Sequence, residues 1–300
     1  MASNKSRNCP LCNAKGSGVT FPYVTIFNAV QFDYLKCSAC SSVFIDPVPD
    51  RQTFAKMYAK AAYHDCYYAG SEGGPYSESA NLLTNYLPVA AKVMDYGCGV
   101  GAFLKALAQE RFTPFGVEFD EDAAQFASQN ARCETASVDY FLALTDKPKF
   151  DAIHLGDVME HLPDPISTIK QLLGYLKPGG LLFVEGPLEI NASPVYWAAR
   201  TFGALKRILR PDLVGSHAPT HLFRTGAKQQ LEFFQRVDEC LELKSWSVYE
   251  TGWPYADAGG VKRAIARVAM LMGGKRLYGV TFGNRFRGVF RYKALEVALT

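Results

Sequence analysis

Residues 92–101 read Lys-Val-Met-Asp-Tyr-Gly-Cys-Gly-Val-Gly, and this stretch decides the fold. A short apolar run ends at Asp95, and Gly97, Gly99 and Gly101 follow at alternate positions. Residues 102–110 then place apolar side chains at helical spacing, so the pattern predicts a strand, a glycine turn and a helix. Glycines permit positive φ and let a ligand approach the backbone, and the helix start turns N–H groups toward it. A tight turn without a ligand is the alternative at this point.

A second predicted strand, Pro-Phe-Gly-Val-Glu at residues 114–118, ends in an acid. A carboxylate after the second strand suits a ribose diol, because it can accept hydrogen bonds from both hydroxyl groups. The dinucleotide-binding dehydrogenases have the spacing Gly-x-Gly-x-x-Gly. Here the third glycine comes one residue early, so the pattern does not favour that class.

These residues resemble the first motif and the ribose acid of the class I S-adenosylmethionine-dependent methyltransferases. Residues 150–165, which contain Asp157-Val-Met-Glu-His161, resemble the fourth strand of that family and the loop after it. Residues 176–187, beginning Leu-Lys-Pro-Gly-Gly, resemble its fifth strand and the preceding turn. The resemblance implies an α/β fold built on a seven-stranded Rossmann-like sheet. It also implies an enzyme that uses S-adenosylmethionine.

The same resemblance implies the residues that hold the cofactor. At the position where the family often has an acid near the adenine, this chain has Ser137, and Asp139 is displaced. The predicted cofactor-binding residues are Asp95, Gly97, Gly99, Gly101, Glu118, Phe119, Ser137, Val138, Gly156 and Asp157.

Two Cys-x-x-Cys pairs stand near the N-terminus, Cys9 with Cys12 and Cys37 with Cys40. Each pair can present two thiolates to one ion, and two pairs complete a tetrahedral zinc site. Four protein ligands leave no open position, so we expect structural zinc. The segment resembles the four-cysteine zinc ribbon of many bacterial methyltransferases from sugar and natural-product pathways.

The chain divides into three predicted parts: a zinc-ribbon module (1–48), a helical lid or linker (49–90) and a methyltransferase domain (91–300). The lid is rich in aromatics, such as Tyr63 and Tyr67, which either pack on the domain or line the mouth of its site. Insertions at 188–220 and 252–283 are predicted to form helical caps. Residues 261–272 have the basic amphipathic composition of a membrane-surface helix, but packing as a cap is the favoured interpretation and contact with a membrane surface is the alternative.

The net charge of +3 over 300 residues gives no general case for a nucleic-acid partner or for an anionic membrane. The N-terminal residues are polar and lack the apolar core of a signal peptide. No apolar run approaches the length that crosses a bilayer. We therefore predict a cytoplasmic protein.

His221 and His161 are the candidate catalytic residues, because histidine is the natural general base near neutral pH. For His161, an orienting role through a hydrogen bond is the favoured interpretation, and a role as the base is the alternative. Asp157-x-x-Glu160-His161 also resembles the acidic cluster of polyprenyl-dihydroxybenzoate O-methyltransferases, in which a divalent ion can activate a catechol oxygen. Capping of a helix start by Asp157 and Glu160 is the other reading of that cluster.

The favoured function is O-methylation of a small-molecule acceptor, namely a sugar, nucleotide sugar or natural product. Three alternatives stay open: C-methylation of a keto-sugar, methylation of an RNA base, and a non-catalytic protein that retains the cofactor fold. An RNA enzyme would need a strongly basic zinc module. Residues 1–45 carry four Lys or Arg residues and one Asp, so this module is only weakly basic.

Overall fold

The computed structural model describes residues 7–58, 75–210, 215–257, 259–278 and 280–293. An N-terminal antiparallel sheet comes first and has the strand order β1-β2-β3-β9. Its strands are β1 (Gly16–Phe27), β2 (Val30–Cys37), β3 (Val43–Asp46) and β9 (Phe223–Arg224). β9 comes from the second half of the chain, whereas the other three strands are N-terminal. This sheet therefore joins the N-terminal segment to the second half of the chain.

The central sheet has seven strands in the order β10-β13-β8-β7-β4-β5-β6. They are β4 (Lys92–Tyr96), β5 (Thr113–Glu118), β6 (Glu134–Ser137), β7 (Phe150–Gly156), β8 (Leu176–Pro187), β10 (Leu241–Tyr249) and β13 (Arg285–Tyr292). The five strands β4 to β8 run parallel, and β13 is antiparallel to both β8 and β10. The central strands are buried apolar runs, as expected for parallel strands covered on both faces.

Nine α-helices lie in the described part of the chain. They are α1 (Arg51–Met57), α2 (Pro75–Leu83), α3 (Ala102–Gln109), α4 (Glu121–Ala131), α5 (Val138–Ala143), α6 (Pro165–Leu173), α7 (Pro194–Leu209), α8 (Ala227–Val237) and α9 (Gly260–Met272). Side-chain caps start several of them: Asp120 accepts from the N–H of Ala123, and Asp164 from that of Ser167. None of the described helices combines the length and the apolar composition needed to cross a bilayer.

Each of the two predicted insertions contains one helix of more than twelve residues. The first contains α7, which packs against both β1 and α9, and the second contains α9. A two-stranded hairpin of β11 (Arg276–Leu277) and β12 (Val280–Thr281) follows α9. The second insertion thus leaves β10 and returns to β13.

The predicted seven-stranded sheet and α/β class are confirmed. The apolar pattern of residues 225–241 predicts one helix over that range, whereas α8 ends at Val237, because Asp238 is extended and β10 already begins at Leu241. Tyr63 and Tyr67 of the predicted lid lie outside the described residues. The three domain boundaries stay predictions.

Candidate active site

The glycine turn after β4 has all three glycines at positive φ: 81° at Gly97, 52° at Gly99 and 81° at Gly101. A Cβ at Gly97 would collide with Val158, and one at Gly101 would lie 3.0 Å from the carbonyl oxygen of Ala127. These two glycines therefore permit close packing. A Cβ at Gly99 would meet no described atom within 4 Å, so its backbone borders open space that a cofactor can occupy.

The carboxylate of Glu118 is tied to this turn. Its Oε2 accepts from the N–H of Gly99 at 2.7 Å, and its Oε1 accepts from the N–H of Phe119 at 2.7 Å. Burial raises the pKa of Glu118, and the backbone donors oppose that effect. Phe119 is 57% exposed and meets Tyr96 edge-on. The Glu118 carboxylate and the exposed Phe119 ring thus lie beside the open side of Gly99. There the carboxylate could accept hydrogen bonds from a ribose, and the ring could contact a base.

Asp95 faces the interior of the sheet, where it is 3% exposed. Its Oδ1 lies 2.7 Å from Nδ1 of His154, the neighbouring residue in the β4–β7 register. On the other side, Nε2 of His154 lies 3.2 Å from Oε1 of Glu185 on β8. Burial disfavours a charged imidazole, but the two carboxylates prevail and raise the pKa of His154 to about 9. One predicted cofactor-binding oxygen is thus engaged inside the protein.

This buried network continues to β13 and α2. Oε2 of Glu185 accepts from Nε of Arg287 at 3.0 Å and from the hydroxyl of Ser79 at 2.8 Å. The guanidinium of Arg287 also donates to that hydroxyl oxygen at 2.9 Å. Burial opposes ionisation, yet His154 and Arg287 lower the pKa of Glu185 to about 2. The network links four strands across the middle of the sheet, and it fixes the end of β4 that carries the glycine turn.

The remaining predicted cofactor residues stand at the carboxyl ends of β6 and β7. Ser137 caps α5, since its hydroxyl accepts from the N–H of Tyr140, and Val138 is buried in the first turn. Gly156 ends β7. Asp157 follows at φ 54°, and its carboxylate lies 2.7 Å from the guanidinium of Arg285. Ser137 and Asp157 therefore have protein partners of their own.

His161 and His221 meet near the end of β7, with ring centroids 5.0 Å apart and planes at 78°. Nδ1 of His161 lies 2.7 Å from the carbonyl oxygen of Thr220 and 2.9 Å from the hydroxyl of Tyr58. Burial, with a contribution from the charge of His221, lowers the pKa of His161 to about 3. The imidazole of His161 is therefore neutral at physiological pH and is held by the backbone.

His221 is paired with Glu189, whose Oε2 lies 3.0 Å from Nδ1 of the imidazole. Burial would lower the pKa of His221, but the Glu189 carboxylate outweighs it and raises the pKa to about 9. Glu189 also lies near Arg224, at 3.4 Å from Nε. Burial opposes ionisation of Glu189, and Arg224 and His221 together lower its pKa to about 2. The resting pair is an imidazolium and a carboxylate.

Glu160 completes a group with the two histidines. It is 5% exposed, and burial raises its pKa to about 8. Potential ligand atoms of Glu160, His161 and His221 all lie within 4.8 Å of one another. Two imidazoles and a carboxylate form a donor set that suits a divalent transition metal. Asp157 of the predicted acidic cluster is not in this group and is paired with Arg285 instead.

A cleft of about 150 Å³ opens beside Glu189, between the N-terminal sheet and α7. Three cations line it, and Glu189 is the one acid among the lining residues. The Nε of Arg224 makes no hydrogen bond in the described structure, and its charge is shared with the Glu189 carboxylate 3.4 Å away. The cations are Lys36, Arg200 and Arg224, and Tyr196 lies beside Arg200. This lining suits an acceptor that carries negative charge.

The N-terminal sheet positions the histidine loop. β9 pairs with β3 directly after His221, with Phe44 opposite Phe223. The N–H of Leu222 donates to the carbonyl oxygen of Glu160 at 2.7 Å, and the N–H of Ile45 donates to that of Leu222 at 3.0 Å. One residue, Leu222, thus bridges the four-cysteine segment and the loop after β7.

The four paired cysteines converge at one point. Sγ of Cys9 lies 3.7 Å from Sγ of Cys40, and Sγ of Cys12 lies 3.5 Å from Sγ of Cys37. All four sulfurs lie within 4.8 Å of one another. A tetrahedral zinc ion with Zn–S bonds of about 2.3 Å has sulfur–sulfur distances of about 3.8 Å. The predicted four-cysteine cluster is present, and its geometry fits zinc.

Sequence reasoning missed several residues of these sites. Glu189, Arg224 and Tyr58 contact the histidines or their partners, and Glu185 and Arg287 form the buried network. A signal for Glu185 existed, because a charged residue interrupts the apolar run Leu-Leu-Phe-Val-Glu of β8. Glu189 also stands two residues beyond β8, where open α/β sheets bind ligands.

Comparison with known proteins agrees with this geometry. Residues 73–213 match the family described as a methyltransferase domain. The ubiquinone biosynthesis O-methyltransferase of Pseudomonas fluorescens (strain SBW25) is 28% identical over 191 residues, which cover 56% of this chain and 80% of that protein. The enzyme of the same name from Histophilus somni (strain 2336) is 30% identical over 150 residues, covering 47% and 59%.

Among solved structures, a chain of the complex between the Haloferax volcanii Trm112 methyltransferase activator and a methyltransferase superposes with a TM-score of 0.52. It is 17% identical and covers 82% of this chain and 99% of its own, so it supports the fold. The matched domain includes the glycine turn, the buried Asp95 and the loop that carries His161. The sheet order and that match together lead to one conclusion: residues 73–213 match a methyltransferase domain, and the chain has the fold of the class I S-adenosylmethionine-dependent methyltransferases.

Proposed function

We propose that this methyltransferase O-methylates a small-molecule acceptor that carries negative charge, such as a nucleotide sugar or an acidic natural product. The observation behind this proposal is the position of Glu189 between the candidate base and the cleft. It is the partner of His221, and it lines the cationic cleft. A base and an acceptor pocket that share one residue can bring a substrate hydroxyl to the imidazole. The O-methyltransferase names of the relatives favour oxygen as the acceptor atom.

S-adenosylmethionine supplies a sulfonium methyl group, and the chain must hold the acceptor and manage its proton. The glycine turn and Glu118 are the residues that would hold the cofactor. Neutral His221 would take the hydroxyl proton on its imidazole as the oxygen gains the methyl group. Glu189 would orient the ring and stabilise the imidazolium that forms. His161, neutral because it is buried and held in place by the carbonyl oxygen of Thr220, would orient the pair.

The test compares His221→Ala with His217→Ala, an exposed histidine of the same loop. Methyl transfer is followed as S-adenosylhomocysteine release over a panel of anionic and neutral hydroxyl acceptors. We expect His221→Ala to lower turnover by about 100-fold or more, the usual scale for a general base. Cofactor affinity and the His217→Ala enzyme should be nearly unchanged. Near-normal turnover in His221→Ala would refute the assignment.

Metal-assisted O-methylation is the second candidate, because Glu160, His161 and His221 form a compact donor set. An ion bound there would lower the pKa of an acceptor hydroxyl, and no general base would be needed. Chelation with EDTA under conditions in which the zinc content of the four-cysteine cluster is measured and stays constant, followed by addition of Mg²⁺ or Mn²⁺, separates the two. Activity that is lost on chelation and restored by one ion favours the metal. Activity that resists chelation while it depends on His221 favours the base.

A further inference from the structure

The two helices of the insertions and the hairpin expose an unusual amount of apolar surface. On α7, five large apolar side chains lie on one face and are 52–76% exposed. They are Trp197, Phe202, Leu205, Ile208 and Leu209. Phe202, Leu205 and Leu209 are separated by three, four and seven residues, and Trp197 lies eight and eleven residues before Leu205 and Ile208, so all five lie on one broad stripe. α7 therefore turns an apolar face outward, the reverse of an ordinary surface helix.

α9 lies against α7 and has the same character. Its inner face buries the small side chains of Ala266 and Ala269. Its outer stripe carries Val261, Val268 and Leu271, which are 77%, 50% and 72% exposed. The hairpin continues the exposed apolar surface at the end of α9, with Leu277 at 53% and Tyr278 at 97%. The docking surface is defined here as α7, α9 and this hairpin.

The charge of the docking surface has one sign. Residues 194–210 and 260–283 contain nine basic residues and no Asp or Glu. The rest of the chain then has 23 basic against 29 acidic residues. The nine basic residues are Arg200, which lines the cleft beside Glu189, and Lys206, Arg207, Arg210, Lys262, Arg263, Arg267, Lys275 and Arg276. A molecule with a net charge of only +3 therefore concentrates positive charge where its aliphatic side chains are exposed.

We infer that the docking surface binds the face of an anionic lipid bilayer, with α7 and α9 lying in the plane of the headgroups. An interfacial helix needs an apolar stripe that enters the acyl boundary and flanking Lys or Arg that meet anionic headgroups. Both are present on two adjacent helices. Nucleic acid would complement the positive charge, but its phosphate backbone would not bury the exposed Leu and Ile side chains. A second copy of the chain would match the apolar stripes, but it would oppose nine cations to nine cations.

The test is co-sedimentation of the full-length protein with vesicles of phosphatidylcholine alone or mixed with phosphatidylglycerol. Two double variants probe the surface: Arg267→Glu with Arg276→Glu, and Ile208→Asn with Leu271→Asn. The matched charge control is Lys170→Glu with Arg236→Glu, on exposed positions of α6 and α8. Binding of S-adenosylhomocysteine and thermal unfolding confirm that each variant is folded.

We expect binding to the phosphatidylglycerol vesicles that weakens with added salt and is much weaker for phosphatidylcholine. Removing each basic residue should weaken binding to these vesicles by about fivefold. The double charge variant should therefore bind them about 25-fold more weakly, or weaker still. Each Asn substitution should weaken binding by about tenfold or more. The control should bind as the unmodified protein does.

Three results would overturn the inference. The first is no binding to the anionic vesicles, or binding equal in all variants. The second is a dimer in solution that Ile208→Asn with Leu271→Asn converts to monomer while vesicle binding is absent. The third is tight binding to RNA or DNA that the charge variant abolishes and the Asn variant leaves intact, again without vesicle binding.

Discussion

Nδ1 of His221 lies 3.0 Å from Oε2 of Glu189, and both side chains are largely buried. The carboxylate holds the pKa of the imidazole at about 9, so the histidine is protonated in the resting protein at neutral pH. A general base acts in its neutral form. If His221 is that base, methyl transfer must therefore increase as pH rises toward about 9.

The first prediction is that kcat/KM rises with pH through an apparent pKa near 9 and that Glu189→Gln moves this limb downward. Removing the carboxylate removes the charge that favours the imidazolium, so the limb should move by about 1–3 pH units. An NMR titration of the His221 ring signals should show the same decrease in apparent pKa, and this measurement needs no acceptor. Glu232→Gln, at a partly exposed glutamate of α8 paired with Lys228, serves as the control. A limb that Glu189→Gln leaves in place would belong to another group.

The second prediction concerns zinc on Cys9, Cys12, Cys37 and Cys40. We expect one zinc per chain, and we expect Cys37→Ser to lose it and to lower the thermal stability of the protein. Turnover should fall too, because β3 pairs with β9 directly after His221. Cofactor binding should persist, since the glycine turn lies on strands of the other sheet.

Elemental analysis, thermal unfolding and calorimetry with S-adenosylhomocysteine measure these three outcomes. Cys133→Ser is the matched control, because Cys133 is a free thiol outside the cluster. A zinc-free native protein would contradict the site. Full turnover in zinc-free Cys37→Ser would show that the catalytic position of His221 does not depend on zinc through the β3–β9 pairing.

The third prediction compares Gly99→Val with Gly179→Val. Both glycines have positive φ, 52° and 76°, and a Cβ on either would meet no described atom within 4 Å. Both variants should lose stability by at least about 1 kcal/mol through backbone strain. Only Gly99→Val should abolish cofactor binding, because only that side chain enters the space beside Glu118. Equal cofactor affinity in the two variants, measured by calorimetry, would mean that the cofactor does not approach Gly99.

The strand–turn–helix around Asp95 was predictable because its signals are local. Alternate glycines, a preceding apolar run and a following helical pattern all lie within about twenty residues, and the parallel sheet follows from their repetition. The pairing of Cys9 and Cys12 with Cys37 and Cys40 was predictable for the same reason. Each pair is a complete local motif, and the chemistry of the ion requires four ligands.

The contacts between distant segments were not predictable. Phe44 pairs with Phe223 across almost 180 residues, and β9 has only two residues, too few for any periodicity. The sequence therefore suggested a separate N-terminal module, whereas the sheet is shared with the loop of His221. The partner of Asp95 was not predictable for a similar reason, and the cofactor-binding role of Asp95 stays a prediction. Its contact with His154 depends on the β4–β7 register, which no local pattern encodes.

The last prediction uses two glutamates whose pKa is lowered to about 2, Glu185 and Glu242. Glu185 is buried between His154 and Arg287, whereas Glu242 is exposed and pairs with Lys244 and Lys293. Glu185→Gln leaves buried cations without a counter-charge and should destabilise the protein by about 3–5 kcal/mol at neutral pH. Glu242→Gln should change stability little, since water and salt screen exposed pairs.

The stability that Glu185 contributes depends on pH, and the direction follows from its lowered pKa. The pKa of Glu185 is lower in the folded state than its ordinary 4.5, so its contribution is complete above about pH 4.5 and is lost as pH falls toward 2. The stability difference between the unmodified protein and Glu185→Gln should therefore shrink over that window, because a protonated glutamic acid resembles glutamine. Urea unfolding at a series of pH values measures it. A difference that stays constant down to pH 2 would mean that Glu185 acts through packing and not through its charge.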